Sequence, residues 1–123
     1  MARILLAEDD DSLRRFLAGA LRRAGHEVAP VADGDAALAA LAEPSEVPFD
    51  LLLADIVMPG ADGIEVARRA SDQAPGMKVM FITGFAAIAM NQRGQPAHSP
   101  AKVLSKPFHL RDLVDQVDRL LAA

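Results

Sequence analysis

Phe49-Asp50-Leu51-Leu52-Leu53-Ala54-Asp55 (FDLLLAD, residues 49–55) is the stretch on which the fold turns. Leu51 to Ala54 are apolar at every position. Side chains of a strand point alternately to its two faces. A run with no alternation is therefore buried on both faces, which is the habit of a strand inside a parallel sheet covered by helices. The run ends on one carboxylate, Asp55, and a turn follows it, Met58-Pro59-Gly60-Ala61-Asp62-Gly63. Helical periodicity then runs from about Ile64 to Gln73, and Pro75-Gly76 breaks it.

The same alternation of short apolar runs and helical stripes extends in both directions. Upstream, Ile4-Leu5-Leu6-Ala7 reads as a second strand buried on both faces. The spacing predicts a helix from about Ser12, with Leu13, Phe16, Leu17, Ala20, Leu21 and Ala24 on its apolar stripe and Gly25 as its stop. Asp11 or Ser12 is the expected cap of that helix. Glu27 to Val31 reads as an outer strand, and Asp33 to Ala42 as an Ala/Leu-rich helix ended by Pro44. Downstream, Val79 to Ile82 is a strand that leads into Thr83-Gly84. Ala86 to Arg93 suits one short helix, because Gly94-Gln95-Pro96 and Ser99-Pro100 interrupt anything longer. Val103-Leu104-Ser105 is the last strand, closed by Lys106-Pro107, and the final helix carries Leu110, Leu113, Val114, Val117, Leu120 and Leu121 on one face. Five strands alternating with five helices predict an α/β fold with a doubly wound five-stranded parallel sheet. Its crossovers are right-handed, and its site lies beyond the carboxyl ends of the strands.

Bulk properties narrow the function. A length of 123 residues suits one domain, residues 1–123, with no output domain attached. With 51% apolar residues it builds a core without staples, and the lack of cysteine excludes disulfides and thiol chemistry. Seventeen acidic against thirteen basic side chains give a net charge of −4, which argues against a nucleic-acid surface. No apolar run approaches the roughly 20 residues of a membrane span. The opening MARILLAEDD is not a secretory signal. A cytoplasmic location with no membrane contact is expected.

The residues at the predicted strand ends carry the chemistry. The first strand ends in Glu8-Asp9, the third in Asp55, the fourth in Thr83 and the fifth in Ser105-Lys106. Meeting in one crevice, these bring three carboxylates, a hydroxyl and an ammonium together. Close carboxylates repel and call for a counterion. Mg²⁺ suits them, since it binds through one or two carboxylates and shares phosphate oxygens. Lys106 and Thr83 would complete a site for a phosphoryl group, whose transfer needs positioning and charge neutralisation. Asp55, alone at the tip of a buried strand, is the natural nucleophile. Taken singly, each residue has a plainer reading: a helix cap for Asp10 and Asp11, a strand-end hydroxyl for Thr83, a surface charge for Lys106. Arg14, Arg15, Arg22 and Arg23 read as a solvated helix face. The coincidence at consecutive strand ends decides for the site.

AEDD after the first strand, DIVMPGADG around Asp55, ITG at Thr83 and SKPF at Lys106 resemble the receiver domain of two-component response regulators. The resemblance covers the whole chain in order. It implies a strand order of 2-1-3-4-5, Asp55 as phosphoacceptor, and Mg²⁺ held by Glu8, Asp9, Asp55 and the backbone carbonyl of Val57. It further implies Thr83 and Lys106 on the phosphoryl oxygens, a cis Lys106–Pro107 bond, and a histidine kinase or histidine phosphotransfer protein as donor. The first helix, with its arginines, would dock that donor. MARILLAEDDDS, DLLLADIVMPG and TGFAA also resemble stand-alone receivers of the CpdR type. That likeness implies an output protein as partner, the ClpXP protease, and a role in regulated proteolysis; a phosphorelay intermediate is the alternative.

Two departures from the family pattern stand out. Val103 occupies the place of the usual switch aromatic, with Phe85 as a candidate substitute. The Gly/Pro-broken segment from Gln92 to Lys102 predicts a short or mobile fourth helix. The family tunes its self-hydrolysis two residues past the acceptor and two past the threonine. Those places hold Val57 and Phe85 here, which implies a long-lived phosphoryl group. Other enzyme classes fit poorly. An aspartate-nucleophile phosphatase would need an acid at Val57, and a dinucleotide-binding turn would need glycines where Glu8-Asp9-Asp10-Asp11 stands.

Overall fold

The computed structural model describes residues 2–43, 48–83, 102–105 and 108–122, with the backbone alone at Thr83, Lys102, Val103 and Ser105. Within them the chain runs β1 (Arg3–Ala7), α1 (Asp11–Arg23), β2 (Glu27–Val31), α2 (Gly34–Ala42), β3 (Leu51–Asp55), α3 (Gly63–Gln73), β4 (Lys78–Thr83), β5 (Lys102–Ser105) and α4 (Leu110–Ala122). All five strands are parallel, in the order β2-β1-β3-β4-β5. This is the expected α/β sheet and strand order. Among the described residues there are four helices. The helix expected over 86–93, and with it the expectation of a short or mobile fourth helix, lies outside the described residues.

The unbroken apolar runs do what strand geometry requires. Ile4, Leu6, Leu51, Leu53, Met80 and Ile82 face α1 and α4, meeting Leu17, Leu21, Leu113 and Val117. Their neighbours Leu5, Ala7, Leu52, Ala54, Val79 and Phe81 face α2 and α3, meeting Ala37, Val66, Ala67 and Ala70. Leu51, Leu52, Leu53 and Ala54 have no exposed surface. Each fully buried leucine contributes roughly 2 kcal/mol, so the FDLLLAD run anchors both layers. At the opposite end of the sheet from the strand tips, His26 Nε2 lies 2.8 Å from Asp118 Oδ1 and ties α4 to the turn before β2.

Three helices start on an aspartate whose carboxylate accepts a backbone N–H three residues on. Asp10 accepts from Leu13 at 2.9 Å, Asp33 from Ala36 at 2.7 Å and Asp62 from Glu65 at 2.9 Å. Each such cap stabilises its helix by about 1 kcal/mol. Asp10 therefore caps α1, in place of the expected Asp11 or Ser12. The helix begins one residue early because Asp10 keeps extended backbone while Asp11 is already helical. Gly25, with φ +99°, ends α1 as expected.

The stripe of α1 needs two corrections, the first being that Ala24 is its exposed C-cap. Phe16 is 59% exposed, whereas Leu17, Ala18, Ala20 and Leu21 are buried. At 3.6 residues per turn, Phe16 sits roughly 120° from the centre of that buried arc. Ala18 completes the arc instead, because a small side chain lets α1 approach the sheet on that edge.

Candidate functional site

The strand order puts a switch point between β1 and β3. From β1 the chain steps outward to β2, then returns to β3 on the other side. The crossovers leave in opposite directions there and open a crevice at the carboxyl ends. Ala7 pairs with Ala54 in the register of β1 and β3. The next residues, Glu8 and Asp55, are therefore brought side by side at the crevice.

Glu8, Asp9 and Asp55 each offer a carboxylate oxygen, and these oxygens lie within 4.8 Å of one another. Glu8 has no exposed surface and Asp55 is 6% exposed, while Asp9 is open to solvent. The Glu8 N–H donates to Val31 O at 3.1 Å, which fixes its backbone against β2. Its Oε2 accepts the Asp10 N–H at 3.0 Å. Asp55 Oδ1 accepts the Val57 N–H at 3.2 Å, and the Ile56 N–H donates to Ile82 O at 3.2 Å. The acceptor strand is thus continued one residue past the tip of β3 before the turn begins.

Gly63 closes the turn against this tip. Its N–H donates to Ile56 O at 2.9 Å. A Cβ at this position would collide with the carbonyl oxygen of Asp55. The start of α3 is packed onto the backbone of Asp55 itself.

Two carboxylates about 5 Å apart repel by roughly 3 kcal/mol at an effective dielectric of about 20. Backbone amides are neutral donors and do not cancel that charge. A cation with a preference for oxygen does, and an all-oxygen set selects a hard divalent ion over a soft one. The carboxylates fit such an ion.

The remaining expected site residues fall as follows. Val57 follows Asp55 by two, 61% exposed and with its N–H on the Asp55 carboxylate. Thr83 ends β4, one residue past Ile82, the register partner of Asp55. Its backbone stands beside Ser105 at the end of β5. Val103 pairs with Phe81 within the sheet. Lys106, the Lys106–Pro107 bond and Phe85 lie outside the described residues.

Arg14 belongs here too, although the sequence reading placed it on a solvated or donor-docking helix face. Its Nη1 donates to the carbonyl oxygen of Glu8 at 2.9 Å, and its Nη2 meets Asp11 Oδ1 at 2.5 Å. The signal available in the sequence was the Asp11–Arg14 spacing of three on one helix, which makes neighbours.

Comparison with known proteins agrees with this geometry. The response regulator receiver domain model matches residues 4–118. The chain is 56% identical over 123 residues to the response regulator receiver protein CpdR of Brucella abortus (strain 2308), covering 100% of this chain and 99% of that protein. It is 36% identical over 121 residues to the sensor kinase CckA of the same organism, covering 98% of this chain and 12% of the kinase. The crystal structure of a response regulator receiver protein from Sinorhizobium medicae WSM419 matches with a TM-score of 0.87 at 32% identity, over 99% of this chain and 95% of that one. No helix of the described residues is long and apolar enough to cross a membrane. With its sheet order, its acidic switch point and its matched length, the chain belongs to the response regulator receiver domain family of two-component signalling.

Proposed function

We propose that this chain is a phosphorylation-controlled switch in which Asp55 accepts a phosphoryl group and Glu8, Asp9, Asp55 and the carbonyl of Val57 hold Mg²⁺. One observation carries the reading: three carboxylates from the tips of two neighbouring strands converge within 4.8 Å at the switch point. Bound there, Mg²⁺ would neutralise charge on the transferred phosphoryl oxygens. An Asp55 carboxylate oxygen forms the new bond to phosphorus as the bond from phosphorus to the donor imidazole nitrogen breaks. The electron pair of that bond leaves with the imidazole. Asp55 is held for this by the Val57 N–H on its Oδ1 and by the packing of Gly63 on its backbone. Thr83, the last residue of β4, and Lys106, next in sequence after β5, would take the phosphoryl oxygens.

The donor is a phosphohistidine on a histidine kinase or histidine phosphotransfer protein. The output is binding to another protein in the cytoplasm, and the likeness to CpdR supports the ClpXP protease as that partner. Moving a two-state population from mostly off to mostly on takes roughly 5 kcal/mol. Charge-assisted bonds at the new phosphoryl group are of the right size to supply it.

Intact-mass measurement after treatment with acetyl phosphate tests the acceptor. Wild type with Mg²⁺ should gain about 80 Da, while Asp55→Asn, or wild type with excess EDTA, should not. A gain retained in Asp55→Asn would place the acceptor elsewhere. Pull-downs with wild type and Asp55→Ala test the output, and equal capture of the protease by both would remove it as a phosphorylation-controlled partner.

A further inference from the structure

We infer that Arg14 is a positioning residue for the cation site, its planar fork holding the loop from Glu8 to Asp11 in the shape that presents Asp9. The inference rests on the proposed Mg²⁺ site and assigns a residue that the ligand set does not include.

The loop between β1 and α1 is three residues long and carries two of the three converging carboxylates. One side chain ties its first residue to the start of α1. Arg14 Nη1 donates to the Glu8 carbonyl at 2.9 Å and Nη2 to the Asp11 carboxylate at 2.5 Å. Between those anchors, the Asp10 N–H is on Glu8 Oε2 at 3.0 Å and Asp10 Oδ1 is on the Leu13 N–H at 2.9 Å. Asp9 is thus the one loop residue whose carboxylate is exposed at the site while its neighbours on both sides are tied down. The Arg14 side chain is only 18% exposed, because it lies on the sheet-facing side of α1, one turn before Leu17 and Ala18, while Arg15, Arg22 and Arg23 are exposed. Its neighbour Arg15 is exposed, and its bond to the Asp11 carbonyl is long, at 3.4 Å. Arginine suits the place, because a guanidinium reaches two acceptors at a fixed spacing while an ammonium is a single point of charge.

Electrostatics alone predicts the opposite sign. Removing a positive charge beside three carboxylates makes the crevice more negative and should tighten Mg²⁺. Loss of positioning should weaken it, and outer-shell groups that orient metal ligands are typically worth 10–100-fold in affinity. A purely structural role lowers thermal stability and leaves the affinity where it was.

The measurement is an amide-shift titration of Asp9, Asp10 and Val57 with MgCl₂ and no phosphodonor present. It compares wild type with Arg14→Met, Arg14→Lys and Arg15→Met, each shown folded by thermal melting. Positioning predicts a Kd raised about tenfold in Arg14→Met, a smaller rise in Arg14→Lys, and wild-type affinity in Arg15→Met. An unchanged or tighter Kd in Arg14→Met overturns the inference while leaving the Mg²⁺ site standing. Should Arg14→Met not fold, Arg14→Lys decides in the same way. Wild type that shows no saturable shift overturns the cation site and this inference together.

Discussion

No side chain fits between the α-carbon of Gly63 and the carbonyl oxygen of Asp55. A Cβ on Gly63 would also lie 3.0 Å from the Asp55 carbonyl carbon and 3.0 Å from Ile56 Cα. Every one of these neighbours is backbone, so nothing flexible can give way. Gly63→Ala should therefore cost about 2 kcal/mol and lower the Tm by roughly 5–10 °C. The strain falls on the tip of β3, so acetyl-phosphate labelling of the folded fraction should slow as well. A melt within about 1 °C of wild type would show that α3 can move off Asp55 without loss.

Phe16 and Leu17 are adjacent and differ in everything that burial decides. Leu17 has no exposed surface and packs with Leu21 and Leu113, while Phe16 is 59% exposed. Leu17→Ala should cost roughly 3 kcal/mol through lost transfer energy and a cavity. Phe16→Ser should stay within about 0.5 kcal/mol. Urea titrations of both variants read this directly. A loss above about 1.5 kcal/mol for Phe16→Ser would mean that the aromatic ring is packed after all.

That contrast shows where the sequence was readable. Unbroken runs such as Leu51 to Ala54 admit one interpretation, because a strand apolar at each position must be covered on both sides. Three such runs and two weaker strands, in alternation with helices, left one sheet class, and the acids at the tips of β1 and β3 then fell together. The face of α1 was read less well. Periodicity marks which residues are apolar, but the edge that an apolar stripe shows to the sheet depends on side-chain size. Ala18 lets the helix come close and turns Phe16 outward. The roles of the clustered acids needed coordinates for a similar reason. Glu8, Asp9, Asp10 and Asp11 are alike in chemistry. Their place at the end of β1 marks Glu8 and Asp9 for the site, and geometry then separates the helix cap, Asp10, from the Arg14 partner, Asp11. Arg14 was hidden because an arginine reads as solvated, although its spacing of three, four and seven from the buried Leu17, Ala18 and Leu21 puts it on the inward face of α1.

Asp9→Asn should separate stability from cation binding. Asp9 is exposed, so water screens its repulsion with Glu8 and Asp55, and relieving it should stabilise the metal-free protein by about 1 kcal/mol. Wild type at a Mg²⁺ concentration of 100 times its Kd should gain about 2.7 kcal/mol, raising the Tm by roughly 10 °C. In Asp9→Asn most of that gain should vanish. Parallel melts with EDTA and with excess MgCl₂ measure both effects. If the variant is less stable than wild type in EDTA, the carboxylates are not repelling one another. If Mg²⁺ raises both melting points equally, Asp9 is not a ligand.

Val57 bears on how long a phosphoryl group would last. Hydrolysis of a phosphoryl-Asp55 needs a water placed in line with the bond to be broken, and a side chain that hydrogen-bonds the water raises its local concentration in that pose. Val57 is 61% exposed, and its side chain has no donor or acceptor. Its backbone N–H is already engaged with Asp55 Oδ1 at 3.2 Å, so it is not available to the water. Slow self-hydrolysis is the expected outcome, with a signal that would persist until another protein removes it. Val57→Asn puts an amide at the same exposed place with no new packing to satisfy, and should leave the fold intact while speeding decay about tenfold. The decay is followed by intact mass after removal of acetyl phosphate, with Mg²⁺ held constant. A decay rate in Val57→Asn equal to or below that of wild type would show that the water is placed by some other group, and that the apolar residue at 57 does not set the lifetime.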